Sequence, residues 1–128
     1  VCVLAPLAEE FFFRGYFFGA LTNWKGLWPA AIITGLVFGA IHIGSTEPAN
    51  LLPLAYFGFT LCALRIITGS LYPSIAVHAV NNAAAFGATQ NWQWQILPAA
   101  LTALAIITII LTTTNRLWQP QALRPAGS

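Results

Sequence analysis

Charge is what this 128-residue chain has least of: three acidic and five basic side chains, 6% of the sequence, against about 25% in a soluble globular domain. So few charges cannot cover a water-facing surface, which excludes an ordinary soluble enzyme and a disordered tail. The net charge is only +2 and the cations are scattered, which excludes a nucleic-acid-binding surface. Cysteine is limited to Cys2 and Cys62, both in apolar stretches, so neither a disulfide framework nor a zinc knuckle is supported. Methionine is absent, and the start Val1-Cys2-Val3 lacks a charged n-region and a small-residue cleavage site. That start reads as a fragment whose true N-terminus lies upstream.

What is present is apolar: 58% of residues are hydrophobic and the mean hydropathy is +0.74. Several apolar runs approach the roughly 20 residues needed to cross a bilayer. They lack the alternating polarity of barrel strands. The expected fold is an all-α integral membrane protein, a bundle of about five transmembrane helices forming the C-terminal part of a larger bundle. Turn residues divide the chain into helices near 3–21, 28–43, 50–68, 71–88 and 96–114 within a single domain, 1–116, followed by a polar tail, 117–128. The breaks are Thr22 to Gly26, Gly44 to Pro48, Gly69-Ser70, and Thr89 to Gln95. In the last of these, Trp92 and Trp94 suit the headgroup level. Lys25, Arg65, Arg116 and Arg124 fall on one side of five spans and Glu47 on the other. The positive-inside rule then makes the C-terminus cytosolic.

Ionisable groups inside the spans carry the functional information. Glu9, Glu10 and Arg14 each cost about 2.5–3.5 kcal/mol at a helix centre, on the order of 8 kcal/mol together before pairing. Glu10 and Arg14 are four apart with the glutamate first, the favoured order for a pair. Glu9 lies about 140° around the helix from Arg14 and remains free for chemistry. His42 ends the second span on a stripe with Gly35 and Gly39, whose small-xxx-small spacing permits close helix approach; Gly15 and Gly19 offer span one a similar face. His78 and Asn82 share a face of span four, with Asn81 adjacent. Read by depth, Glu9 lies in the first half of span one, His42 at the end of span two, and His78 and Asn82 in the later half of span four, all toward one leaflet. A free carboxylate, two imidazoles and an amide are the equipment of water activation with oxyanion stabilisation.

The motifs in order are Glu9-Glu10-Phe11-Phe12-Phe13-Arg14 (EExxxR), Phe38 to His42 (FxxxH) and His78 to Asn82 (HxxxN). On successive helices they resemble the CPBP family, formerly Abi, of type II CAAX prenyl endopeptidases and bacteriocin-processing proteins, over roughly residues 5–88. The resemblance implies a glutamate-dependent intramembrane endopeptidase. Glu9 with His42 would activate water, His78 and Asn82 would hold the oxyanion, and Glu10 with Arg14 would support the site. Its substrate would be a peptide or protein, prenylated in the CAAX case, reached within the lipid bilayer, with no nucleic acid and no metal. Three alternatives stay open. Glu9, His42 and His78 could be a zinc-protease ligand set, although no HExxH helix is present. The cluster could serve partner binding in a non-catalytic immunity protein. It could also be a proton relay in a transporter.

Overall fold

The computed structural model describes residues 2–91 and 93–114, and among them every regular element is helical. The first rod, 4–25, is continuous: α1 (Leu4–Glu10) runs through a π-helical stretch (Phe11–Phe17) into α2 (Phe18–Lys25). Then come α3 (Leu27–Ala40), a single 3₁₀ turn (Pro48–Asn50), α4 (Leu51–Thr68), α5 (Tyr72–Thr89) and α6 (Ile96–Thr114). Proline punctuates the starts. Pro6, Pro29, Pro53, Pro73 and Pro98 each fall in the first turn of a helix, where the missing N–H would have had no intrahelical partner. Glycine marks two stops: Gly26 at φ +83° and Gly69 at φ +66° adopt backbone that other residues avoid.

The expected helices are all present, with shifted ends. The polar residues Thr22 to Lys25 do not form a turn; they extend the first rod, with the Thr22 hydroxyl donating back to the Phe18 carbonyl at 2.8 Å. Helix α3 stops at Ala40, three residues early. Its backbone tightens there, the His42 N–H bonding the Gly39 carbonyl at 3.2 Å. His42 therefore sits in a turn beyond the helix. The π-helical stretch had no sequence signal. By length and hydropathy, only the segment Pro48–Thr68 among the described residues suffices to cross a membrane; Leu27–Ala40 and Ile96–Ile109 are apolar but shorter. Trp92, Arg116, Arg124 and the 117–128 tail lie outside the described residues.

Packing follows small residues. A Cβ on Gly35 would meet the Ala55 carbonyl and the Phe59 nitrogen at 2.7 Å, and one on Gly39 would meet the Leu51 carbonyl at 2.8 Å. The small-xxx-small face of α3 thus lets two backbones touch, maximising dispersion contact. Gly19 shows no such neighbour within 4 Å, so its expected close-packing role is not realised among the described residues. Two apolar clusters result. Phe18, Ala30, Ala31 and Cys62 join α2, α3 and α4, while Leu71, Ile75, Ala79, Ala103 and Ile107 join α5 and α6, with Val3 and Leu7 against them. Large apolar side chains face outward elsewhere; Tyr16, Leu52, Tyr56 and Ile67 are more than 70% exposed.

Candidate active site

Between the two clusters lies a buried polar cluster. It begins on α1, where successive residues point about 100° apart. Glu10 is fully buried, while the neighbouring Glu9 side chain keeps 28% of its surface. Arg14, in the π-helical stretch, is also buried. Its Nη1 donates to Glu10 Oε1 at 2.8 Å and its Nη2 to the Gly58 carbonyl of α4 at 2.9 Å. The guanidinium carbon lies 4.6 Å from the centroid of the Phe38 ring. An anion, a carbonyl and a π face together offset the cost of burying this cation. The sequence-derived pairing of Glu10 with Arg14, and the freer position of Glu9, are both as seen.

His78, buried on α5, joins the same cluster. Its Nδ1 lies 2.8 Å from Glu10 Oε1, and its Nε2 lies 3.7 Å from Glu9 Oε2. The ring is held edge-on between Phe38 and Phe57, with centroids 5.6 and 5.7 Å away. His42 approaches from the end of α3. Its Nδ1 donates to the Phe38 carbonyl at 2.8 Å, and its ring lies 5.1 Å from that of Phe38. The two imidazoles therefore flank one phenyl ring. Asn82 is half-buried one turn beyond His78.

Glu9, Glu10, Arg14 and His78 are thus in direct contact or close to it, whereas His42 connects through Phe38 and Asn82 stands apart. The expected depth needs correction. His78 is the seventh residue of α5, in its first half, and it meets Glu10 directly. That places the cluster nearer the middle of the bundle than one end. Sequence reasoning used Phe38 only as a motif position and missed its contacts with Arg14, His42 and His78. It also missed Phe57 and Gly58, which belong to no motif.

Several polar atoms are buried without a hydrogen-bond partner among the described residues: Glu9 Oε2, Glu10 Oε2, Arg14 Nε and Thr34 Oγ1. The first matters most. This carboxylate oxygen points inward at an imidazole nitrogen, and one water oxygen can hydrogen-bond both, as water activation requires. A zinc site fits less well. Among the described residues no three His, Cys, Asp or Glu side chains are grouped closely enough to hold a metal, so the proposed Glu9, His42 and His78 ligand set is not assembled.

Comparison with known proteins agrees in outline. A Bacillus subtilis (strain 168) protein named "Uncharacterized protein YyaK" is 38% identical over 91 residues, covering 62% of this chain and 30% of that protein. "Putative membrane peptidase YdiL" of the same organism is 30% identical over 80 residues, 62% of this chain and 32% of that protein. "UPF0177 protein YxdF" of Lactococcus lactis subsp. lactis (strain IL1403) is 31% identical over 80 residues, 62% of this chain and 42% of that protein. The chain thus spans less than half the length of these curated relatives. No solved structure matches it. Residues 1–84, which carry all three motifs, match the family described as type II CAAX prenyl endopeptidase Rce1-like, and the chain belongs to that family.

Proposed function

We propose that the full-length parent of this chain is a multi-pass membrane endopeptidase that hydrolyses a peptide bond with a glutamate-activated water. The observation that carries this reading is the buried Glu9 oxygen facing His78 Nε2 at 3.7 Å, beside a Glu10–Arg14 pair that holds the imidazole in place. Glu9 takes a proton from water as the water oxygen attacks the scissile carbonyl. His42, whose Nδ1–H is committed to the Phe38 carbonyl, keeps Nε2 as an acceptor and supports the water's activation from the end of α3. The Asn82 amide donates to the developing oxyanion, where preorganised donors are worth most, and His78 Nε2 faces the same charge. Substrate enters from lipid, and the outward apolar side chains of the π-helical stretch and α4 support that setting.

The substrate class follows the family: a peptide or protein, prenylated at its C-terminus in CAAX processing, or a bacteriocin-type peptide. That a relative bears the words membrane peptidase supports the reaction type. The test is cleavage of a membrane peptide by the full-length parent in liposomes. Glu9→Ala and His78→Ala are each expected to lower turnover at least about 100-fold, within the range general acid–base catalysis contributes. Unchanged turnover in both variants would refute the reading. Activity is expected to survive exhaustive chelation; its loss, with recovery on adding zinc, would favour the metal alternative instead.

A further inference from the structure

Glu10 Oε1 accepts two hydrogen bonds at 2.8 Å, one from Arg14 Nη1 and one from His78 Nδ1. The carboxylate that neutralises a buried arginine is ionised and acts only as an acceptor. The proton in the second bond therefore belongs to His78 Nδ1. That choice has a consequence on the far side of the ring. In the neutral ring Nε2, the atom 3.7 Å from Glu9 Oε2, is left with a lone pair and cannot donate. The Phe38 and Phe57 rings pack edge-on at 5.6 and 5.7 Å and oppose the ring flip that would exchange the two nitrogens.

We propose that Glu10 is a positioning residue that fixes the His78 tautomer and makes His78 the proton carrier between Glu9 and the leaving amine. This rests on the endopeptidase reading above. One O–H bond of the attacking water breaks and its proton goes to Glu9 Oε2, while the water oxygen bonds to the scissile carbon and the carbonyl electron pair moves to oxygen. Glu9 passes that proton to His78 Nε2, and the resulting N–H donates to the oxyanion. The carbonyl then re-forms, the C–N bond breaks, and the amine nitrogen takes the proton from Nε2. The cluster returns to its starting state, and the carboxylic acid product loses its remaining proton to water. The donor at Nε2 thus exists only while the negative charge does, so it stabilises the transition state without binding the ground state more tightly. The imidazolium formed in passing lies between two carboxylates, Glu10 and Glu9.

The experiment is nitrogen NMR of the full-length parent in lipid nanodiscs with ¹⁵N-labelled histidine, the His78 signals assigned by their loss in His78→Asn. The resting protein is expected to show a protonated-type signal at Nδ1 and a lone-pair-type signal at Nε2. The reverse pattern overturns the proposal. In Glu10→Gln the single-tautomer pattern is expected to give way to a mixture, with kcat falling about 10–100-fold, at or below the low end of what general acid–base catalysis contributes, and KM little changed. Glu10→Asp, which keeps a charge for Arg14 but withdraws it from His78, is expected to do the same. A retained Nδ1–H pattern in both variants overturns the assignment of that role to Glu10. If the parent cleaves nothing, the endopeptidase reading fails and the proton-carrier proposal falls with it. If it cleaves in a Glu9-dependent way while the tautomer is reversed, only the proposal fails.

Discussion

Arg14 shows how a charge survives inside this bundle. It is 1% exposed, and its partners are one carboxylate oxygen, one carbonyl and the face of Phe38. Replacing it with alanine leaves Glu10 fully buried, with His78 as its remaining hydrogen-bond partner. Breaking a buried pair from one side typically costs about 3–5 kcal/mol, because the orphaned charge remains. Arg14→Ala is therefore expected to lower stability by about that much, read as unfolding free energy in detergent. A loss under about 1 kcal/mol would mean the Glu10 charge is neutralised elsewhere. At this scale the sequence was informative where helical spacing decides. The separation of Glu10 from Glu9 follows from angle alone. The Glu10–His78 hydrogen bond does not, because its partners are 68 positions apart and only the packing of α1 against α5 brings them together. Phe57 was invisible for the same reason.

Helix ends were legible from proline and glycine, and their errors have local causes. Apart from Gly15, nothing in Phe11–Phe17 weakens a helix, and one glycine does not specify a π-helical stretch; such stretches often lie at functional sites. Here it carries Arg14 to the Gly58 carbonyl. The close-packing face of α3, by contrast, was readable, though not its partner α4, and it yields a test. A methyl group at Gly39 would sit 2.8 Å from both the Ala55 side chain and the Leu51 carbonyl, so the helices must part. Gly39→Ala is expected to destabilise by about 1–3 kcal/mol, the usual range for overpacking. Because Phe38 and His42 flank that contact in sequence, turnover should fall too. Gly19→Ala, with nothing within 4 Å, is expected to be neutral or to gain up to about 1 kcal/mol from better helix propensity. Equal losses in the two variants, measured by thermal unfolding, would mean that the glycine contact is not what holds α3 to α4.

At the scale of the whole molecule, one helix among the described residues is apolar and long enough to cross a bilayer, and the rest of the membrane topology is open to test. Short connections make α3, α4 and α5 alternate in direction, so Lys25 and Arg65 end on one side and Glu47 on the other. Helix α4 is long and apolar enough to cross by itself. Helix α3 has 14 residues, about 21 Å at 1.5 Å per residue, against a hydrocarbon core of about 30 Å. It can cross only where the bilayer thins or its flanks snorkel, at a modest cost per ångström of mismatch. Trp24 and Lys25 are placed for that, with the ammonium 3.7 Å from the indole centroid at the head of α3. Single-cysteine reporters at Asn23, Ser45 and Thr68, introduced after replacing Cys2 and Cys62, decide the matter in intact bacteria. With a membrane-impermeant maleimide, Ser45→Cys is expected to label from outside, and Asn23→Cys and Thr68→Cys only after lysis. If Asn23→Cys labels together with Ser45→Cys, α3 does not cross and its 14 residues lie within one leaflet. The positive-inside count would then rest on α4 alone, and the path by which a lipid-borne peptide reaches Glu9 would have to run along α3.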